Sequence, residues 1–141
     1  MPDRNHLASP NLGGVDRFAS ELTKVDKPWG HELIFAVTDR YAGKLLVVNA
    51  GESLSLQFHK VKDEAWYVLD GRAELELGAP GERMLNKEVV GPGAAFHFPP
   101  GTVHRVKAVE DTKIIEVSTP QLDDIVRLDD LYGRTEPGAS D

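Results

Sequence analysis

The chain from Trp29 to Val117 consists of short runs that are apolar throughout or alternate between apolar and polar residues. Gly, Pro, Asp and Asn separate the runs, which are HELIFAV, AGKLLVVNA, SLSLQFHK, EAWYVLD, RAELELG, KEVVG, AAFHFP, VHRVKAV and TKIIEVS. Strands of this length and spacing are typical of a β-sandwich or β-barrel. The pattern predicts an all-β fold and argues against a parallel α/β sheet.

Both ends of the chain differ in composition from this middle region. Residues 1–14 and 135–141 are rich in Pro, Gly, Asn, Asp and Ser, so we expect mobile tails around one domain at residues 15–134. The spacing of Val15, Phe18 and Leu22 predicts a short N-terminal helix. The acidic, amphipathic segment from Pro120 to Arg134 is compatible with a short helix or with a C-terminal strap over the barrel.

Composition narrows the class of protein. With 141 residues and 40% hydrophobic content, the chain can bury one core. Its formal net charge of -7 argues against nucleic acid or an anionic membrane as the principal partner. The sequence has no cysteine, which excludes disulfides and thiolate ligands. Since neither a signal-peptide pattern nor an apolar run of roughly 20 residues is present, we expect a cytoplasmic protein.

One predicted strand carries polar residues on the face that a barrel would bury. Alternation separates two sets of side chains, Leu54, Leu56 and Phe58 on one face and Ser53, Ser55, Gln57 and His59 on the other. A turn through residues 60–63 would bring Glu64 back beside His59. His104 follows a rigid Pro-Pro-Gly turn and is the best candidate for a fourth member of this cluster.

An amide oxygen, two imidazoles and a carboxylate suit a divalent cation. We therefore predict that Gln57, His59, Glu64 and His104 bind one divalent metal ion, with Zn, Mn, Fe and Ni all compatible. His97 lies between two phenylalanines, so it projects to the face opposite them and could enter the same cavity. A structural role for His97 is the alternative.

Two segments carry a resemblance to a known family. GESLSLQFHKVKDEAWYVLDG, from Gly51 to Gly71, resembles the first motif of the cupin superfamily, and GAAFHFPPGTVHRVKA, from Gly93, resembles the second. The resemblance implies a single-domain double-stranded β-helix, or jelly-roll barrel. Within the cupins, KPWGHE, LSLQFH, EAWYVLDG, PPGTVHR, IIEV and DDIVRLDDLYGR occur in the order typical of type II mannose-6-phosphate isomerase domains. In that family a glutamine takes one metal position, which supports Gln57 as a ligand.

The resemblance implies a metal-dependent isomerase that interconverts an aldose and a ketose phosphate. Such an enzyme needs a Lewis acid and a proton-transfer group, for which Lys62, Glu116 and His97 are the candidates. A sugar phosphate also needs cations at the mouth of the site. The basic candidates for that role are Lys27, Lys44, Arg105, Arg127 and Arg134. We also expect a homodimer, because an exposed N-terminal strand favours edge-to-edge pairing.

Two other functions remain compatible with the sequence. A non-catalytic cupin that binds a carbohydrate or small metabolite is favoured by Ala65, which stands where the family usually has a histidine. A mononuclear metal oxygenase is the other alternative, although Gln57 suits it less well than a histidine would.

Overall fold

The computed structural model describes residues 18–82 and 84–129, and their regular structure is almost entirely β-strand. The strands are β1 Thr23–Lys27, β2 Gly30–Val37, β3 Ala42–Val48, β4 Leu56–Phe58, β5 Glu64–Asp70, β6 Ala73–Gly78, β7 Asn86–Val90, β8 Ala95–Phe98, β9 Val103–Ala108, β10 Thr112–Ser118 and β11 Val126–Asp129. The all-β prediction is therefore confirmed.

The strands form two antiparallel sheets. One has six strands in the order β1-β2-β3-β10-β5-β8, and the other has five in the order β11-β4-β9-β6-β7. Because neighbours in each sheet come from distant parts of the chain, strands β3 to β10 wind between the two sheets as in a jelly roll. This arrangement places β4 beside β9 in one sheet and β5 between β10 and β8 in the other.

Each of the nine predicted runs contains one strand, and two further strands were not predicted. β1 is an edge strand with a mostly exposed sequence, and β11 lies in the segment predicted as a helix or strap. Phe18 has 3₁₀-helical conformation, but residues 19–22 form no helix, so the predicted N-terminal helix is wrong for residues 19–22. Residues 15–17 and the predicted tails at 1–14 and 135–141 lie outside the described residues.

The barrel interior has an apolar end and a polar end. Along β10, Ile114 is paired with Leu46 and Val68, whereas Glu116 is paired with Lys44 and Trp66. The apolar end is a cluster of buried side chains, Trp29, Leu46, Val48, Leu54, Trp66, Val68, Ala73, Leu75, Phe98, Val106, Ala108 and Ile114. The polar end is equally closed to solvent, with buried Glu32, Lys44, Gln57, His59, Lys62, Glu64, His104 and Glu116.

A one-residue irregularity precedes β4. Ser53 is paired with Lys107 and Gln57 with His104, so four steps on one strand match three on the other. An extra residue of this kind is a β-bulge, which changes the face on which the following side chains lie. Leu54 can therefore join the apolar cluster while Gln57 also faces the interior. The simple alternation predicted for this strand does not hold across residues 54–57.

No helix among the described residues is long and apolar enough to cross a membrane.

Gly71, in the turn between β5 and β6, should tolerate no side chain. Its φ is +92°, and a Cβ would lie 2.2 Å from the backbone oxygen of Asp111. We expect Gly71→Ala to lower the free energy of unfolding by about 3 kcal/mol or more, since backbone strain and a backbone clash add together. Urea denaturation followed by circular dichroism would measure the loss.

Gly51→Ala is the matched control. Gly51 has a similar φ of +84°, but nothing lies within 4 Å of its added Cβ. This variant should lose only about 1 kcal/mol, the strain of the left-handed conformation. Equal losses in the two variants would contradict the proposed clash at Gly71.

Candidate metal centre

Three elements bring the candidate ligands together. His59 directly follows β4, Glu64 is the first residue of β5, and His104 is the second residue of β9. Gln57 on β4 lies opposite His104 in the antiparallel register, which places both side chains on the interior face. All four residues are buried, with exposed fractions of 6% or less.

A carboxylate oxygen of Glu64 lies at the centre of the cluster. Its Oε2 is 2.6 Å from Nε2 of His59 and 3.5 Å from Nε2 of His104. Ligand atoms of the three residues all lie within 4.8 Å of one another. Among the described residues, His59, Glu64 and His104 are the one group of His, Asp or Glu side chains that lie close enough together to hold a metal ion.

Backbone carbonyls fix how both imidazoles are protonated. Nδ1 of His59 contacts the carbonyl oxygen of Asp124, and Nδ1 of His104 lies 3.0 Å from the carbonyl oxygen of Thr102. Because a carbonyl oxygen can only accept a hydrogen bond, each Nδ1 carries a proton and donates it. In the neutral rings, both Nε2 atoms then present lone pairs to Glu64, as metal-binding histidines do.

These donor atoms fit a divalent cation. Two imidazole lone pairs and a carboxylate oxygen converge in a space closed to solvent, and with both rings neutral and protonated at Nδ1 neither histidine donates to the buried Oε2 of Glu64. Acceptors this close to one another repel unless a positive charge lies among them. The mixed nitrogen and oxygen set suits Zn, Mn, Fe or Ni, as the sequence predicts.

When no cation is bound, a second proton on His59, at Nε2, would partly relieve the repulsion between these acceptor atoms because it could be donated to Oε2 of Glu64. Burial lowers the pKa of His59, but the hydrogen bond to Glu64 and the charge of Glu64 outweigh it and raise the pKa. For Glu64, burial raises the pKa, yet His59, Lys62 and His104 lower it well below its usual range. Burial dominates at His104 and lowers its pKa, so this imidazole stays neutral and able to bind a metal.

Gln57 lies beside the cluster with one amide atom already engaged. Its Nε2 donates to the carbonyl oxygen of Ser55 at 3.3 Å, which leaves its Oε1 as the atom with which it would bind a cation. Its role as a ligand stays a prediction.

Trp66 forms the wall between the cluster and the apolar end of the barrel. Its Nε1 donates to Oε1 of Glu64 at 2.8 Å and to Oε1 of Glu116 at 3.1 Å. Its ring packs edge-on against Phe98 and His104, and Phe98 stacks on His104 with centroids 4.6 Å apart. These contacts hold Glu64 and His104 in place. Strand alternation, which puts Trp66 on the same face as Glu64, is the sequence signal for this role.

A chain of buried charges continues from the cluster into the barrel. Nζ of Lys62 lies 3.0 Å from Oε2 of Glu116, and Nζ of Lys44 lies 4.0 Å from the same oxygen. Lys44 also pairs with Glu32 at 3.2 Å. Lys62 and Glu116, two of the predicted proton-transfer groups, are therefore in direct contact and reach Glu64 through Trp66.

The third predicted proton-transfer group lies elsewhere. The side chain of His97 is 63% exposed and pairs with Asp63 at 2.7 Å. It is opposite Ala65 in the register of β5 and β8, on the outer face of the sheet. Alternation correctly separated His97 from its flanking phenylalanines, but the interior face is the one that carries Phe98.

The predicted phosphate-binding residues are dispersed. Lys44 is buried in its pair with Glu32, and Arg105 pairs with Glu76 and Asp129 on the face opposite His104. Lys27 is half-buried at the end of β1.

Arg127 is the predicted cation that comes nearest to the metal ligands in the strand register. It is buried on β11 directly opposite Gln57, so the two side chains share a face. Arg134 lies outside the described residues.

Comparison with known proteins assigns most of the chain to one family. Residues 16–130 match the family model described as mannose-6-phosphate isomerase C-terminal. The xanthan biosynthesis protein XanB of Xanthomonas campestris is 36% identical over 117 residues, which cover 79% of this chain and 24% of that protein. The mannose-1-phosphate guanylyltransferase ManC of Salmonella typhimurium is 33% identical over 116 residues, covering 79% of this chain and 23% of that protein. The chain thus spans about a quarter of the length of these curated relatives.

Solved structures agree on the fold. KdgF from Halomonas superposes with a TM-score of 0.60 at 28% identity, covering 70% of this chain and 88% of that one. Oxalate decarboxylase of Bacillus subtilis, which has Mn(II) centres, gives 0.63 at 20% identity, covering 74% and 29%. A cupin superfamily protein of Desulfitobacterium hafniense gives 0.54 at 19% identity, covering 62% and 74%. The chain therefore has the cupin fold and belongs to the mannose-6-phosphate isomerase C-terminal family.

Proposed function

We propose that this protein is a metal-dependent sugar-phosphate isomerase that interconverts mannose 6-phosphate and fructose 6-phosphate. The observation that carries the proposal is the convergence of His59, Glu64 and His104 in a closed interior, which Trp66 links to the ion pair of Lys62 and Glu116. Membership of the family supports the choice of substrate. A Lewis-acid site next to a buried proton-transfer pair is what an aldose–ketose isomerisation requires.

In this proposal His59, Glu64 and His104 hold a divalent cation, with Oε1 of Gln57 as a fourth ligand. The cation supplies Lewis-acid polarisation of the substrate carbonyl. Trp66 and the carbonyl oxygens of Asp124 and Thr102 keep the ligands oriented.

Isomerisation moves a proton from C2 of the aldose to C1, while another proton passes from O2 to O1. We assign the carbon-to-carbon transfer to Glu116, with Lys62 holding the carboxylate in place at 3.0 Å. Burial and the charge of Glu64 raise the pKa of Glu116, although Lys62 and Lys44 oppose them. A less acidic carboxyl is a better base for carbon acids near neutral pH.

Arg127 is our candidate for contacting the anionic group of the substrate. It is the predicted cation whose register position on β11 faces the interior beside Gln57. Guanidinium groups bind phosphate through paired hydrogen bonds.

A non-catalytic carbohydrate-binding role and a mononuclear oxygenase are the alternatives. The sequence argument for a binding role was Ala65, which replaces the usual histidine of the family. Ala65 is on the outer face of β5, opposite His97, so the replacement removes no side chain from the interior cluster. The replacement at Ala65 therefore does not favour the binding role over the isomerase.

The expected homodimer and the cytoplasmic location stay predictions. In the described part of the chain, β1 is an edge strand of the six-stranded sheet with mostly exposed side chains, which is the position that edge pairing requires.

The first prediction concerns the metal ligands. Purified protein should contain about one divalent ion per chain, and His59→Ala or His104→Ala should reduce this content nearly to zero because each removes a buried donor atom. Elemental analysis of the purified variants gives the result, and circular dichroism checks that the barrel remains folded. His97→Ala is the matched control, since His97 lies on the outer face, and it should keep the ion. Full metal content in both ligand variants would refute the assignment.

The second prediction concerns activity. Under anaerobic conditions the protein should convert mannose 6-phosphate to fructose 6-phosphate, and a chelator should abolish turnover until a divalent ion is restored. A coupled assay for fructose 6-phosphate would measure the turnover. A parallel experiment in air with an oxygen electrode would measure any oxygen consumption. Metal binding with no turnover would favour a binding role, and oxygen consumption would favour an oxygenase.

The third prediction separates proton transfer from metal binding. Lys62→Met and Glu116→Gln should each lower kcat by roughly 100-fold or more while metal content is unchanged. The double variant leaves neither Lys62 nor Glu116 as a buried charge without its partner, so it should fold well and remain inactive. Lys113→Met, at an exposed position on β10, is the control. Unchanged kcat in the double variant would exclude the pair from the reaction.

A further inference from the structure

The segment at residues 121–129, here called the strap, contacts the metal motif through Asp124. One carboxylate oxygen of Asp124 accepts the backbone N–H of Lys60 at 3.0 Å. The other accepts the N–H of Val61 at 2.7 Å and of Lys62 at 2.8 Å. The carbonyl oxygen of the same residue accepts the Nδ1 proton of His59.

The three backbone N–H groups form an anion-binding nest around the Asp124 carboxylate. Hydrogen bonds from N–H groups to an ionised carboxylate are stronger than those between neutral groups. Three N–H groups that donate to its two carboxylate oxygens stabilise the charged form of this side chain.

The segment that forms the nest connects two candidate metal ligands. Residues 60–62 lie between His59 and Glu64, and they also carry Lys62. None of residues 59–63 belongs to a strand, so β-sheet hydrogen bonds do not hold this turn in place. Asp124 supplies the missing hydrogen bonds and, through its carbonyl, also orients the imidazole of His59.

The strap is anchored at its other end as well. Asp129 accepts a hydrogen bond from Arg105 of β9 at 3.1 Å, and Val126 and Arg127 pair with Phe58 and Gln57 of β4. The strap therefore forms the edge of the sheet that carries Gln57 and His104, and Asp124 reaches the metal motif from this fixed base.

We propose that Asp124 is a positioning residue for the metal centre, and that docking of the strap and binding of the metal stabilise each other. This inference rests on the metal site of the proposed function but not on isomerase activity. Coupling of this kind is reciprocal, so a bound ion must also stabilise the strap. A purely structural Asp124 would affect global stability without affecting the metal affinity of the folded protein.

The first test is metal affinity in the full chain after removal of bound metal. Zn²⁺ alone, and Mn²⁺ alone in parallel, would be titrated in competition with a chromophoric chelator. Asp124→Ala should weaken the Kd by about 10- to 100-fold, as loss of an orienting contact does. Asp124→Asn should fall in between, because its amide retains one acceptor oxygen. Asp123→Asn, at the exposed neighbouring position, should bind as tightly as the unaltered chain.

The second test measures the coupling in the unaltered chain and then in Asp124→Asn at a metal concentration that saturates both. Hydrogen exchange would compare the amides of residues 60–62 and of the strap with and without the ion in the unaltered chain. We expect slower exchange at both segments when metal is bound, and a much smaller metal-dependent change at the strap in Asp124→Asn.

The outcomes are distinguishable. If the unaltered chain binds neither ion, both the metal site and this inference are wrong. If it binds an ion, and the Asp124 variants match its Kd and its metal-dependent protection, the inference alone is wrong. Weakened Kd together with lost coupling at the strap supports it, whether or not the protein turns over a sugar phosphate.

Discussion

The approach of two imidazole nitrogens to one carboxylate oxygen of Glu64 is the constraint on which the polar end of this barrel depends. The interior holds three buried carboxylates, Glu32, Glu64 and Glu116, and three buried cations, Lys44, Lys62 and Arg127. Lys44 pairs with Glu32 and Lys62 pairs with Glu116, whereas Glu64 contacts His59, His104 and Trp66. A cation bound at Glu64 would place a positive charge among the converging acceptor atoms and separate their lone pairs. Ligand geometry therefore favours an ion at this position.

The division of the barrel interior explains how such a site coexists with a stable core. Residues that alternate inward on β3, β5 and β10 are apolar at one end and charged at the other, and Trp66 lies at the boundary. Its ring completes the apolar cluster while its Nε1 satisfies Glu64 and Glu116. The hydrophobic core thus supports the polar groups directly, since the same side chain that fills space also fixes two carboxylates.

Much of this arrangement can be predicted from sequence, because strand alternation and turn residues are local signals. The nine runs, and the return of Glu64 to His59, follow from them. β1 was missed because an edge strand exposed on both faces carries little hydrophobic pattern. Alternation places His97 and Phe98 on opposite faces of β8. Which of these two faces is interior depends on where the second sheet packs, and a single strand does not show that. Asp124 could not be found in this way, since it contacts residues more than sixty positions away through backbone N–H groups, which leave no side-chain signature.

The β-bulge before β4 gives the metal centre a dependence on chain length as well as on residue type. The extra residue between Ser53 and Gln57 allows Leu54 to reach the apolar cluster and Gln57 to face His104 in the same short stretch. Side chains on a strand change face with every step, so a deletion of one residue here would preserve each ligand in the sequence yet turn Gln57 away from the interior. In related chains, a gap at this position would therefore be as informative about metal binding as the loss of a histidine.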